Sequence, residues 1–232
     1  LWHIEELALH GLFVQSAQLG NYAEAIDFGN RLVEIKEKVG DVKGLVILYF
    51  DIGGLYFNVN KPNDTVAYYE KGMNLFELIT DDEQIEVFLK NVTVISDRLE
   101  DIEPFTKALK KLKNRLLTHS PNYLLAKVYG TLGSIYSGAG KGRVSLACFK
   151  REIAILKQLG RFEDEVEAWI NLGDVNSELS YFENALKAYG EAIRQAQINR
   201  QTHLIIKAYH NRADCFTRLD LWEQASIDYQ RA

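Results

Sequence analysis

Large apolar residues recur in this chain on a spacing of forty. Trp169, Leu172, Gly173, Phe182, Ala185, Tyr189 and Ala192 are followed, forty residues on, by Tyr209, Arg212, Ala213, Trp222, Ala225, Tyr229 and Ala232. Forty residues upstream of the first three stand Tyr129, Leu132 and Gly133, followed by Tyr136, Gly140 and Phe149. Two further steps reach Tyr49, Ile52, Gly53, Tyr56 and Tyr69, and one more reaches Leu9, Leu12, Gly20, Tyr22, Ala25 and Ile26. The unit between, with Phe88, Val92, Ile95 and Ala108, is degenerate and keeps little beyond its position. Aromatics make up 11% of the chain, yet five of the six units carry one at the first register position (Tyr49, Phe88, Tyr129, Trp169, Tyr209), which composition alone does not explain.

The pattern inside each unit is helical and broken once in the middle. It predicts first helices near 6–18, 43–59, 83–97, 121–138, 162–178 and 202–218, with second helices filling the intervals. The turn position reads Gly20, Asn60, Leu99, Gly140, Ser180 and Asp220, and all but Leu99 are types that accept a turn or left-handed conformation where a helix ends. Pro62 and Pro104 fall near the starts of second helices and Pro121 just ahead of a first helix, where a missing N–H costs least. Gly53, Gly133, Gly173 and Ala213 lack bulk, so the first helix can lie close to its neighbours, and the Tyr or Trp four residues before each is expected to fill the wider gap beside it. Ala25, Ala185 and Ala225 do the same for second helices. Each hairpin then packs only on its neighbours, so the 232 residues need not split into separate domains.

A large aromatic, Leu-Gly, a small turn residue, then aromatic, Ala, Phe or Tyr and Ala resembles the tetratricopeptide repeat. The resemblance covers essentially the whole chain. The family's usual period is 34, and the forty found here resembles the longer-helix subtype of the spindle-orientation protein LGN and of bacterial signalling scaffolds. The stretch Leu19 to Ile26, continuing to Lys36–Asp41, is similar to that subtype's unit. The resemblance implies an all-α fold, a right-handed superhelical α-solenoid of helix-turn-helix hairpins. Its six units lie near 6–42, 43–81, 82–120, 121–161, 162–201 and 202–232, the third degenerate and the sixth truncated, in a single array 1–232.

Composition narrows the function. Hydrophobic residues at 47% and charged ones at 25% suit a packed core, and a net charge of -5 argues against binding nucleic acid through phosphate neutralisation. The longest apolar run, Leu45 to Phe50, is far below the roughly 20 residues a membrane span needs, so no membrane insertion is expected. The two cysteines, Cys148 and Cys215, both lie inside predicted helices, and a cytoplasmic location fits them better than a disulfide framework. The chain opens on Leu1 and stops at Ala232 inside a helical pattern, so it reads as a fragment of a longer protein.

Candidate chemistry is sparse. Ser137-Gly138-Ala139-Gly140-Lys141-Gly142 resembles a phosphate loop only superficially, because Ile135 stands where the first glycine belongs and the segment joins two helices. His210 and Asp214 lie one turn apart with Asp174 beside them in the register, but no further His or Cys completes a metal set. Cys148 and Cys215 neighbour Phe149 and Phe216 and read as buried apolar groups. Lys107, Lys110, Lys111, Lys113 and Arg115 form a basic face, and the acidic clusters Asp81-Asp82-Glu83 and Glu163-Asp164-Glu165 suit helix N-termini. No enzyme activity and no cofactor are expected.

In the family resembled, first helices line a concave groove. Carried over position by position, the groove receives Leu7, His10, Val14 and Gln18, then Phe50, Asp51, Gly54, Phe57 and Asn58, then Glu86, Lys90 and Asp97. It continues with Lys127, Thr131 and Ser134, then Asn171, Asp174 and Glu178, then Lys207, His210, Asn211, Asp214 and Arg218. The first part is apolar and aromatic and the last polar, which suits a protein or peptide partner whose hydrophobic anchors dock at one end while Asn171 and Asn211 grip its backbone. The polar half is the expected main contact. The carboxylate clamp of chaperone adaptors is not matched, since Ile170 and Asp174 stand where it wants Lys and Asn before Asn211. The expectation is a protein-interaction scaffold. The alternatives are a sensor arm of a larger signalling protein and, more remotely, a metal- or small-ligand-dependent enzyme.

Overall fold

The computed structural model describes residues 2–76, 82–96, 101–117 and 122–232. They form α1 (Trp2–Gln18), α2 (Tyr22–Val39), α3 (Val42–Asn58), α4 (Pro62–Phe76), α5 (Asp82–Ser96), α6 (Glu103–Leu116), α7 (Tyr123–Gly138), α8 (Gly142–Leu159), α9 (Phe162–Glu178), α10 (Phe182–Ile198), α11 (Thr202–Arg218) and α12 (Trp222–Arg231). No strand occurs among the described residues. The fold is all-helical and built of antiparallel hairpins, as the repeat pattern predicts. The chain divides into two compact units, Leu1–Lys110 and Lys111–Ala232. The division falls in α6, within the hairpin whose repeat pattern is weakest.

Local chemistry stops and starts the helices at the expected places. Gly20, Asn60, Gly140, Ser180 and Asp220 all adopt positive φ, from 57° to 78°. The connections from second to first helices use the same device at Gly40, Gly160 and Arg200. Gly40 and Gly160 are C-caps in the left-handed region, where glycine bears no Cβ penalty. Arg200 has no such freedom and was not flagged by composition. Asp41 caps α3 by accepting from the Gly44 N–H at 2.9 Å, and Asn122 caps α7 by accepting from Leu125 at 2.8 Å. Pro62 opens α4, and Pro104 is the second residue of α6. Leu99 and Pro121 lie outside the described residues.

In the first unit, Leu9 and Phe13 of α1, Ala25, Leu32 and Ile35 of α2, and Leu48, Ile52 and Leu55 of α3 form one buried cluster. Aromatic contacts extend the packing, with Phe50 4.9 Å from Phe88 and 5.2 Å from Tyr69, and Tyr69 6.0 Å from Phe105 between ring centroids. In the second unit, Phe149, Ile153 and Leu156 of α8 meet Ala168, Leu172 and Val175 of α9. Forty residues on, Tyr189, Ala192, Ile193 and Ala196 of α10 meet Leu204, Ala208 and Cys215 of α11.

The close approach at each register glycine is filled from the second helix. A Cβ built at Gly53 would lie 2.6 Å from the Tyr69 ring, one at Gly133 2.9 Å from Phe149, and one at Gly173 would strike Tyr189. The group filling each notch is therefore an aromatic of the second helix, sixteen residues on, while the Tyr or Trp four residues before lies beside it. The reason is geometric. A residue four positions earlier on the same helix lies alongside the notch, whereas the antiparallel second helix faces into it.

Candidate functional site

In the first unit the three first helices leave a cleft of about 430 Å³ between them. Asp51, Asn58 and Lys90 all line it, together with Val14, Gln18, Phe50, Gly54 and Phe57. Its remaining walls are Phe13, Ala17, Leu55, Asn91 and Tyr69, the last reaching in from α4. Sequence reasoning missed Tyr69 because it sits on a second helix. Its spacing from Gly53, read as a notch and its filler, carries that signal. Leu7 and His10 are exposed away from the cleft, Glu86 is exposed on α5, and Asp97 lies outside the described residues. Asp51 is solvent-exposed at the edge of the cleft, and desolvation by the protein around its carboxyl pushes it up to about 6.

The second unit treats its polar residues differently. Lys127 of α7 pairs with Asp164 of α9 at 2.5 Å, and Tyr123 also donates to Asp164, at 2.9 Å. Burial works against the Lys127 charge, but the Asp164 and Tyr123 partners outweigh it and hold its pKa above the ordinary lysine value. Burial likewise pushes Asp164 up, and the hydrogen bonds from Lys127, Tyr123 and Arg161 more than reverse this. Beneath them Glu152 of α8 is only 7% exposed, and burial raises it to about 8 although Lys127 pulls the other way. Its Oε2 has no hydrogen-bond partner, and Gly130 provides the room in which its carboxyl sits.

The next pair of first helices repeats the arrangement. Asn211 of α11 donates to Asp174 of α9 at 2.8 Å, and Tyr189 donates to the same carboxylate at 2.7 Å. Burial raises the Asp174 pKa, and these two donors and Lys207 offset only part of that rise. Ser137 donates to Glu178 at 2.9 Å, and Arg218 donates to Ser177 at 2.8 Å while lying over the Phe182 ring. Tyr229 donates to Asp214, and His210 stands 3.7 Å from that carboxylate with its ring edge-on to Tyr229.

In the second unit most of the polar side chains expected to grip a ligand therefore bind adjacent helices to one another. Thr131 is 6% exposed and presents no open surface. Asn171 and Lys207 make no direct hydrogen bond or ion pair within the described residues. The shift in emphasis has a physical cause. Polar groups at matching heights on parallel neighbouring helices come within reach of each other and satisfy one another first. Among the described residues no group of three or more His, Cys, Asp or Glu is placed to hold a metal ion, and Asp174 is taken by Tyr189 and Asn211. Cys148 and Cys215 are buried free thiols. No helix among the described residues is long and apolar enough to cross a membrane.

The α9–α10 hairpin, with its glycine notch, aromatic filler and small residues at the helix crossing, is matched at residues 166–199 by the family profile of the tetratricopeptide repeat. This hairpin is similar to a tetratricopeptide repeat. Solved structures extend the likeness of fold beyond it. Aspartyl phosphate phosphatase F from Bacillus subtilis superposes with a TM-score of 0.61 at 11% identity, over 99% of this chain and 70% of that one. A signal transduction ATPase with numerous domains and a tetratricopeptide repeat sensor, from Pyrococcus horikoshii, gives 0.60 at 17%, over 89% of this chain. The present chain spans only 31% of that protein. A Rap protein complexed with competence and sporulation factor gives 0.51 at 16%, over 98% and 73% of the two chains. At such identities the likeness concerns the fold alone. No curated protein matches the sequence. The helical hairpins of this chain thus share an architecture with proteins that carry quite different names.

Proposed function

We propose that the chain is a non-catalytic interaction array of tetratricopeptide hairpins that binds an extended or helical peptide segment of a protein partner along its first helices. The observation that carries this reading is the cleft of about 430 Å³ between α1, α3 and α5, apolar at its floor and edged by Asp51, Asn58 and Lys90. Such a concave, mostly apolar hollow with a few polar groups at its rim suits an amphipathic segment. The Rap protein complex supports it by analogy of fold, since that protein is named with a bound factor. The Pyrococcus horikoshii protein is named for a tetratricopeptide repeat sensor, so a regulatory arm would use the same surface.

Gly54 offers a direct test. A Cβ there meets only the Tyr69 hydroxyl, at 3.9 Å, so Gly54→Phe places a ring in the cleft without disturbing the core. Replacing a mid-helix glycine also removes its penalty of about 1 kcal/mol relative to alanine. Gly54→Phe is expected to keep or raise the melting temperature while abolishing the enrichment of binders from a displayed library of random dodecapeptides. Equal enrichment on both proteins, or none on the wild type, would rule out this groove as the binding surface.

A further inference from the structure

Resting on the reading of this cleft as a binding groove, its charge pattern narrows the ligand. Asp51 is an acid at the edge of an apolar hollow, and no lysine, arginine or histidine of the described residues pairs with it. Lys90 lines the same cleft from α5 without forming an ion pair to it. Elsewhere in this chain Asp164 pairs with Lys127, Asp228 with Arg212 and Asp41 with Lys36. Asp51 thus presents a carboxylate to the cleft with no cation of the described residues paired to it.

The order of groups along α3 gives spacing as well. Asp51 and Phe57 are six residues apart, about 9 Å along a helix, which is the reach of roughly three extended residues. Phe13, Val14 and Phe50 give the same cleft an apolar lining, and Gln18 and Asn58 add amide donors and acceptors.

We propose that the cleft takes a peptide segment in which a cationic group, a Lys, Arg or free N-terminal amine, lies two to four residues from a Leu- or Phe-sized side chain, the cation against Asp51 and the apolar group on the floor before Phe57. Lys90 gives the opposite wall the opposite sign, so uniformly basic segments are disfavoured and the charge pattern selects partner and direction.

The random dodecapeptide library decides it when panned on the wild type, Asp51→Asn and Gly54→Phe in parallel. Peptides enriched on the wild type are expected to share a cation at that spacing and to bind Asp51→Asn about tenfold or more weakly, the scale of a charge-assisted hydrogen bond. Their affinity for the wild type should also fall between pH 7.5 and pH 5, as Asp51 takes up a proton near 6, and stay flatter in Asp51→Asn. The other titratable groups lining the cleft, Tyr69 on α4 and Lys90 on α5, are unchanged in that variant, and α1 contributes none. Enriched peptides that lack the cation, or that bind Asp51→Asn equally well, overturn the inference while leaving the groove in place if Gly54→Phe still blocks them. Enrichment that survives Gly54→Phe, or none on the wild type, removes the groove reading and this inference with it.

Discussion

Asp228→Ala is expected to destabilise the last hairpin of the second unit by about 3 kcal/mol, within the range for breaking a buried ion pair. Asp228 of α12 is 2% exposed and accepts two hydrogen bonds from Arg212 of α11, at 2.6 and 2.9 Å. The Arg212 side chain keeps 21% exposure, so water recovers part of the loss, and the estimate stays at the lower end. The same two register positions hold Leu172 and Ala188 one repeat earlier, both in one apolar cluster. Here the pair has been exchanged for a bidentate charge bridge, with the guanidinium 5.3 Å from the Tyr209 ring centroid. Removing only the acid strands a cation against a helix flank. Restoring the earlier pair, Arg212→Leu with Asp228→Ala, should recover most of the stability, because a packed apolar pair often matches a buried ion pair. Urea unfolding of the two variants checks this, and amide exchange in α11 and α12 shows whether the loss stays local, as nearest-neighbour coupling in repeats implies. A cost below about 0.5 kcal/mol, the level of a plain surface substitution, would show the bridge to be incidental.

The helices were legible because what sets them is local. Five of the six turn positions read from the register adopt positive φ, and the first helices begin at 42, 82, 123, 162 and 202 where the pattern placed them near 43, 83, 121, 162 and 202. A residue type that tolerates a left-handed turn carries its reason in its own side chain. Arg200 shows the limit. At φ 57° it occupies the position of Gly40 and Gly160, and nothing in an arginine announces that conformation; the register alone could have suggested it.

The register shows which side chains share a face and not which of them are free. Asp51, Asn58 and Lys90 do share one cleft. Lys127, Asp174, Glu178, Asn211 and Arg218 instead bind across neighbouring first helices to residues 37 or 41 positions away. Register gives the face a side chain points to. Whether another chain segment meets it there depends on rotamer and height, which spacing does not encode. Arg212 carried a readable signal, a charge at a position otherwise apolar, and the buried Asp228 sixteen residues on is its answer.

The glycine notches yield the other large effect. Gly133→Val is expected to cost about 3 kcal/mol, the upper end for overpacking a filled core. Its Cβ would lie 2.9 Å from two atoms of the Phe149 ring and 3.0 Å from a third. Phe149 is 2% exposed and packed among Ala126, Ile153, Leu156 and Ala168, so the ring has nowhere to turn. The alternative, a shift of α7 away from α8, would stretch the 2.7 Å hydrogen bond from the buried Ser145 hydroxyl to the Gly133 carbonyl. Phe149→Leu removes ring atoms from the notch, and combined with Gly133→Val it should cost clearly less than the two single changes added together. A double-mutant cycle in urea measures that coupling, expected at 1 kcal/mol or more in the range for residues in contact, about 0.5–3 kcal/mol. Gly190 of α10 serves as the control, since a Cβ there meets nothing within 4 Å and Gly190→Ala should stabilise by up to about 1 kcal/mol. If Gly133→Val behaved like Gly190→Ala, the close approach of first and second helices could not be what the small residue at this register position secures.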